Sequence, residues 1–311
     1  MARLTENSES KETNMGYIYG ILAFTAWGLL PIFWKLLSAL SAEEILANRF
    51  IWSFVFLALI LLGTGQYRKV RESLLGKRNI GLITLASLII SFNWFTFIWA
   101  VNSNYVVEAS LGYFINPLVV FLLSILVVKE RLNRGQYTAL GLAFVGVAIL
   151  TYLYGRIPWV ALILAVTFAL YGLIKRYLPV DSLVGLSLET LIITPLAVAY
   201  LVYRTLSGTG NLAGLPPLTM ALLPLAGVVT ATPLLWFTRS TRLIKFSSVG
   251  FLQYIAPTLT LLLGIFLFKE EFSAGHLLGF SFIWAALLIY TFATFKIHFF
   301  KKERTAAPME P

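Results

Sequence analysis

Apolar residues occur along most of this chain in continuous runs rather than in alternation with polar ones. Runs near 20 residues match the length of a helix that crosses about 30 Å of hydrocarbon. Strands would have to close into a barrel and would show alternation, so helices are predicted. The pattern predicts an all-α integral membrane protein with ten transmembrane helices, at 16–38, 44–63, 80–101, 106–128, 135–153, 157–174, 182–203, 219–238, 246–268 and 273–296.

Two stretches of the chain, 108–152 and 248–292, are similar at one constant offset without a gap. EASLGYFINPLVVFLLSILVVKERLNRG in the first corresponds to SVGFLQYIAPTLTLLLGIFLFKEEFSAG in the second, which indicates a duplication. Five spans per half is an odd number, so the second half must enter the membrane from the opposite face. We therefore predict two inverted five-helix repeats, with the chain divided into a polar N-terminal segment, two repeats and a basic tail at 1–15, 16–153, 157–296 and 297–311.

Charge is scarce, with 59% hydrophobic and 12% charged residues and a net charge of +10. Most of the 24 Lys and Arg residues follow the even-numbered spans or lie at the chain ends, on one side of the membrane. The opposite side receives only Arg156, Arg204 and Lys269. By the positive-inside rule, both termini are predicted to be cytoplasmic and the protein to lie in the cell inner (plasma) membrane. The positive charge is thus explained by orientation in a lipid bilayer, and no nucleic-acid partner is predicted.

The chain does not contain the residues that several classes of protein function require. Cysteine is absent, and only two His and one Asp are present, so neither a metal site nor a cysteine nucleophile is predicted. No phosphate-binding G-x-x-x-x-G-K-[ST] loop, intramembrane hydrolase set or ion-selectivity filter occurs. We therefore predict no catalytic residue, no cofactor and no enzyme activity.

Ionisable side chains inside spans are costly and usually meet a partner or a wet cavity. The candidates for gating or coupling are Arg49, Glu108, Glu189 and Arg239. Arg49 and Glu108 both lie toward the outer face, and one hypothesis pairs them as an outer latch. Glu189 lies toward the inner face, where Arg239 or Lys175 are its candidate partners. For Lys175 itself, near a helix end, snorkelling to the headgroups is the favoured interpretation.

Proline recurs at matched positions of the duplication, as Pro117 and Pro257. Each proline removes the hydrogen bond to the carbonyl four residues earlier, so both are candidate hinges. Glu108, Gly112 and Asn116 also form one polar or small stripe on the fourth span, which is expected to face the bundle interior.

Longer motifs resemble a known family. AWGLLPIFWK, ANRFIWS, NWFTFIWAVNSNYVVEASLGYFINPL and VVKERL in the first half, with FALYGLIKR, LET and GFLQYIAPTL in the second, resemble the RarD family of the EamA group in the drug/metabolite transporter superfamily. The resemblance implies a central cavity between the two repeats. The residues that it places on the cavity are Asn93, Trp94, Trp99, Asn102, Tyr113, Asn116, Tyr171, Trp236, Gln253 and Tyr254.

Together these observations predict a secondary transporter that moves a small organic solute, metabolite or drug by alternating access. Export is favoured over import on the resemblance alone. A passive facilitator of the same fold is the alternative. Protons are considered as the coupling ion, with Glu108 or Glu189 as the carrier group, and the oligomeric state is left open.

Overall fold

The structure is a computed structural model that describes residues 2–103, 105–267 and 274–306. Within these ranges, the side chains of 2–10, 71, 74–75, 98, 101–102, 106–107, 213, 264 and 295–306 are not described. The side chain of Asn102, expected on the cavity, is therefore not described, and Lys269 lies outside the described residues.

The described chain is helical and contains no strand. Its helices are α1 (Ala2–Leu36), α2 (Ala42–Gly63), α3 (Tyr67–Leu75), α4 (Lys77–Asn102), α5 (Val106–Leu126), α6 (Arg134–Tyr154), α7 (Trp159–Tyr177), α8 (Ser182–Leu206), α9 (Pro217–Leu243), α10 (Phe246–Leu252), α11 (Ile255–Leu262) and α12 (Ala274–Ala306). A short 3₁₀ turn (Leu212–Gly214) precedes α9, and a π-helical turn (Leu263–Leu267) extends α11.

Ten segments of this described part are long and apolar enough to cross a membrane, which confirms the predicted span count. α3 is the short helix between the second and third spans, and α10 and α11 together form the ninth span. The polar N-terminal segment continues α1, which begins at Ala2. We call the end of the bundle that carries both chain termini the termini end, and the opposite end, with residues 37–41, 155–158 and 207–216, the distal end.

Local sequence explains where the helices begin and end. At the start of α2, Ser41 and Glu44 form a capping box, in which each side chain accepts the other residue's backbone N–H. Asn133 and Gln136 repeat that arrangement at the start of α6. α6 ends at Gly155, whose φ of 81° is readily adopted only without a side chain.

The spans pack in a pattern that is preserved when the two halves are exchanged. α1 packs on α9 as α7 packs on α4, and α2 packs on α9 as α8 packs on α4. Likewise α1 packs on α11 as α7 packs on α5. Three further pairs, α2 with α8, α5 with α10 and α6 with α12, each join equivalent spans. The inversion of the second half stays a prediction from the span count.

The matched prolines do not behave alike. α5 continues as one helix through Pro117, whereas the ninth span is interrupted at Gln253 and Tyr254, a few residues before Pro257. The two helices meet closely there, because an added Cβ on Gly250 would lie 3.2 Å from the Pro117 carbonyl oxygen. The interruption therefore lies where the two halves of the chain touch.

Candidate functional site

Arg49 lies seven residues after the first residue of α2, about 10 Å into the bundle from the distal end. Its guanidinium carbon is 4.8 Å from the ring centroid of Trp34 and 4.4 Å from that of Trp94. Its Nε donates a hydrogen bond to Thr230 Oγ1 at 3.1 Å. Three other helices, α1, α4 and α9, thus hold one cation, and we call these four residues the Arg49 site.

Tyr113 faces the Arg49 site from α5. It lies near Arg49, and its ring lies 6.1 Å from that of Phe97 on α4. Nevertheless 51% of Tyr113 is exposed. A side chain directed toward α2 and α4 can be so exposed only if open space separates it from them, and α2 and α5 are not among the closely packed helix pairs. Arg49 and Tyr113 therefore line one open interior space.

A second, very small cavity lies deeper in the bundle. Its volume is about 10 Å³, room for roughly one water molecule. Trp94 and Thr230 of the Arg49 site line it, together with Ser53, Tyr171 and Glu189. The cavity thus lies between the Arg49 site and a buried carboxylate.

That carboxylate, Glu189, belongs to a buried ion pair. Lys175 Nζ lies 2.5 Å from Glu189 Oε1, and Tyr171 donates a hydrogen bond to Glu189 Oε2 at 3.1 Å. The side chains of Lys175 and Glu189 are 0% and 3% exposed. The expectation that Lys175 snorkels to the headgroups is therefore wrong, while its pairing with Glu189 is confirmed. Arg239, the other candidate partner of Glu189, instead donates to the Tyr19 hydroxyl at 3.2 Å.

Glu130, in the connection after α5, holds α7 and α10 together at the termini end. Its carboxylate accepts the backbone N–H groups of Phe246 and Ser247, at 2.6 and 3.0 Å, in the first turn of α10. Arg176, at the end of α7, lies 3.7 Å from the same carboxylate and donates to the Ile244 carbonyl. We call this arrangement the Glu130 clasp.

The proposed outer latch between Arg49 and Glu108 is not observed. Glu108 is 2% exposed and accepts hydrogen bonds from the Tyr154 hydroxyl at 2.7 Å and the Val160 N–H at 2.6 Å. Arg156 approaches it at 3.8 Å, and hydrogen bonding to Tyr154 raises the pKa of Arg156. Glu108 thus caps the start of α7, where the helix dipole favours a carboxylate.

Two of the asparagines expected on the cavity hold helices together. Asn93 donates to the Leu164 carbonyl at 2.9 Å, and Asn116 donates to the Ala165 carbonyl at 2.6 Å. Both are buried, so they fasten α4 and α5 to α7. Tyr171 and Trp94 line the small cavity, whereas Trp236 packs against the core around Phe237.

Of the other expected cavity residues, Trp99 is exposed and stacks on Tyr105 at 5.5 Å. Gln253 and Tyr254, at the interruption of the ninth span, are 5% and 1% exposed. Neither the amide of Gln253 nor the hydroxyl of Tyr254 has a hydrogen-bond partner among the described residues. Leaving such groups buried and unpaired is costly, which marks this interruption as a strained point of the fold.

Sequence reasoning did not assign roles to Trp34, Thr230 and Glu130. Trp34 and Thr230 are ordinary residues of apolar spans, and only the packing of α1 and α9 against α2 brings them to Arg49. Glu130 did carry a signal, because the duplication matches it with Glu270. The match indicated that the residue matters without showing that it caps α10.

Comparison with known proteins places this chain. Residues 14–152 match the EamA-like transporter family. The chain is 49% identical to the uncharacterized transporter YojE of Bacillus subtilis over 92% of this chain and 96% of that protein. It is 43% identical to protein RarD of Streptomyces exfoliatus, over 90% and 89%. A crystal structure at 17% identity shares the fold with a TM-score of 0.66, over 89% and 98% of the chains. The chain belongs to the RarD family of transporters, in the EamA group of the drug/metabolite transporter superfamily.

Proposed function

We propose that this chain is a secondary transporter that carries a small organic solute across the bacterial inner membrane by alternating access. One observation carries the proposal: the bundle is open on one side of its centre and fastened on the other. Arg49 and Tyr113 line open space in the distal half. The Lys175–Glu189 pair and the Glu130 clasp hold the termini half. A carrier in one of its two end states has this one-sided arrangement.

The orientation follows from charge. Arg68, Lys69 and Lys77 lie between the second and third spans, and Arg131 and Arg134 lie between the fourth and fifth, all at the termini end. The positive-inside rule makes this end cytoplasmic. The open space then faces outward, and the fastened half must separate before solute can exchange with the cytoplasm.

Separation requires the cluster around Glu189 to come apart. Protonation of a Glu189 carboxylate oxygen would cancel its attraction for Lys175, and the water-sized cavity beside the carboxylate has room for a water molecule to deliver that proton. The interruption at Gln253 offers a flexible point in the ninth span, whose α10 the Glu130 clasp holds. Coupling to protons through Glu189 and transport outward complete the proposal; passive facilitation is the alternative.

Reconstitution tests it. The purified full-length chain in liposomes is first screened for solutes that raise its melting temperature, and uptake of each is followed with and without a pH gradient. Accumulation above the external concentration is expected for wild type, and Glu189→Gln, with its folding checked by melting temperature, should only equilibrate the solute. Equilibration without accumulation would favour the facilitator, and absence of flux for every stabilising solute would contradict transport by this chain alone. Flux in vesicles of opposite orientation decides the direction.

A further inference from the structure

We infer that the Arg49 site binds the carboxylate of the transported solute, and that the solute is therefore an organic monoanion with an aromatic or other flat apolar part. The inference rests on the proposed function, because it assigns the ligand of the open space. Its starting point is a cation that the fold does not neutralise. Arg156, Lys175 and Arg176 are paired with the carboxylates of Glu108, Glu189 and Glu130, whereas Arg49 forms no such ion pair with a described residue.

A permanently charged guanidinium within a span is costly unless an anion or water meets it. The two indole rings supply part of the compensation through their cation–π contacts with the guanidinium. They leave the positive charge in place. The site is thus stable enough to exist empty and is improved by an anion.

The geometry indicates which anion. With Trp34 and Trp94 against the guanidinium and Nε bonded to Thr230, the two Nη groups are the donors that remain. Among the described residues, no acceptor takes a hydrogen bond from either of them. Two adjacent N–H groups in one plane match the two oxygens of a carboxylate, which they bind in bidentate fashion. One guanidinium that offers one pair of free N–H groups matches a ligand that carries a single negative charge.

The surroundings indicate the rest of the solute. The indoles of Trp34 and Trp94 flank the cation, and the half-exposed phenol of Tyr113 faces it from α5. These rings offer apolar faces to whatever is attached to the bound carboxylate. An aromatic or flat hydrophobic body fits them, whereas a sugar or another strongly hydrated body would not.

The test compares matched ligands on matched proteins. Aromatic acids are paired with the amide and the amine of the same skeleton: phenylacetate with phenylacetamide and phenethylamine, and indole-3-acetate with indole-3-acetamide and tryptamine. Binding to full-length wild type, Arg49→Lys and Arg49→Gln is read from the melting temperature and from quenching of tryptophan fluorescence. Each variant's melting temperature without ligand is the folding control.

We expect the acids, and not their amides or amines, to bind wild type. Arg49→Gln should weaken this binding on the order of 10- to 100-fold, and Arg49→Lys should not restore it, since lysine keeps the charge but loses the bidentate edge. Equal binding of acids and amides, failure of every acid to bind wild type, or unchanged binding in folded Arg49→Gln would each overturn the inference. Transport of amines but not of acids would support the proposed transport function and contradict the assignment of Arg49. Binding of acids without their transport would support the assignment of Arg49 and contradict the proposed transport function.

Discussion

The ammonium of Lys175 and the carboxylate of Glu189 form an ion pair of 2.5 Å in which neither side chain is more than 3% exposed. They belong to α7 and α8, the first two spans of the second repeat, so the pair holds these two helices together. Removal of one partner leaves the other charged and buried.

Lys175→Met should therefore lower the free energy of unfolding by about 3–5 kcal/mol. The double variant Lys175→Met, Glu189→Leu should recover most of that loss, because apolar groups of similar size replace both charges. Unfolding in detergent, followed by circular dichroism, measures both. A double variant that is no more stable than the single one would show that the pair is not what stabilises this region.

The openness of the interior can be checked with single cysteines, since the chain has none of its own. Tyr113→Cys should react with a membrane-impermeant thiol reagent applied outside intact cells, because Tyr113 is 51% exposed in the distal half. Tyr171→Cys should stay unreacted until the protein is denatured, because Tyr171 is 0% exposed. Ser207→Cys, exposed in the distal connection 207–216, is the positive control. Labelling of Tyr113→Cys only from the cytoplasmic side would contradict the proposed orientation.

Close packing of α2 against α9 depends on Gly227. A Cβ there would lie 2.2 Å from the backbone carbon of Trp52 and 2.5 Å from the Ser53 nitrogen. Because both neighbours are backbone atoms, the helices would have to move apart, and Gly227→Ala should cost about 1–3 kcal/mol of stability.

Gly141→Ala is the matched control for that substitution. Gly141 lies in α6 with nothing within 4 Å of its added Cβ, so alanine should be neutral or stabilise by up to about 1 kcal/mol. Both variants are compared by melting temperature. Equal effects of the two substitutions would mean that α2 and α9 are not packed as closely as described.

Asn116 and Tyr113 lie on the same helix, but substitutions at the two positions should have different effects on stability and on solute affinity. Asn116→Leu removes the bond to the buried Ala165 carbonyl and should lower stability by about 1–3 kcal/mol, with little effect on the affinity of the folded protein for its solute. Tyr113→Phe should leave stability nearly unchanged and alter that affinity, because Tyr113 lines the open space. Melting temperature measures the effect on stability, and solute titration measures the effect on affinity. A loss of affinity in Asn116→Leu with none in Tyr113→Phe would instead place the solute against Asn116.

The polar residues show which features of the structure the local sequence pattern can predict. Arg49 and Glu108 are both placed in the outer half of the bundle by the order of the spans, yet they do not pair. Glu108 lies where α5 packs on α7, and there the N–H of Val160, in the first turn of α7 and without an acceptor inside that helix, offers it a nearer partner. Depth in the membrane can be read from position along a span, but the direction in which a side chain points depends on which helices are neighbours.

The ninth span gives a second case. Pro117 and Pro257 occupy equivalent positions, and the sequence predicts two like kinks. The helix is interrupted only on the side of Pro257, where Gln253 and Tyr254 precede it, while α5 continues through Pro117. A proline removes the same hydrogen bond in both spans. Packing around each helix decides whether the backbone opens.

The sequence by itself determined that ten helices cross the membrane, because continuous apolar runs and the need to pair every backbone polar group are local conditions. It also determined that a few ionisable residues lie within those helices. The tertiary structure decided which groups they meet: Arg49 with Trp34, Trp94 and Thr230 from three other helices, and Glu189 with Lys175 and Tyr171. Such contacts join residues far apart in the chain, and only the packing of the helices brings them within a few ångströms.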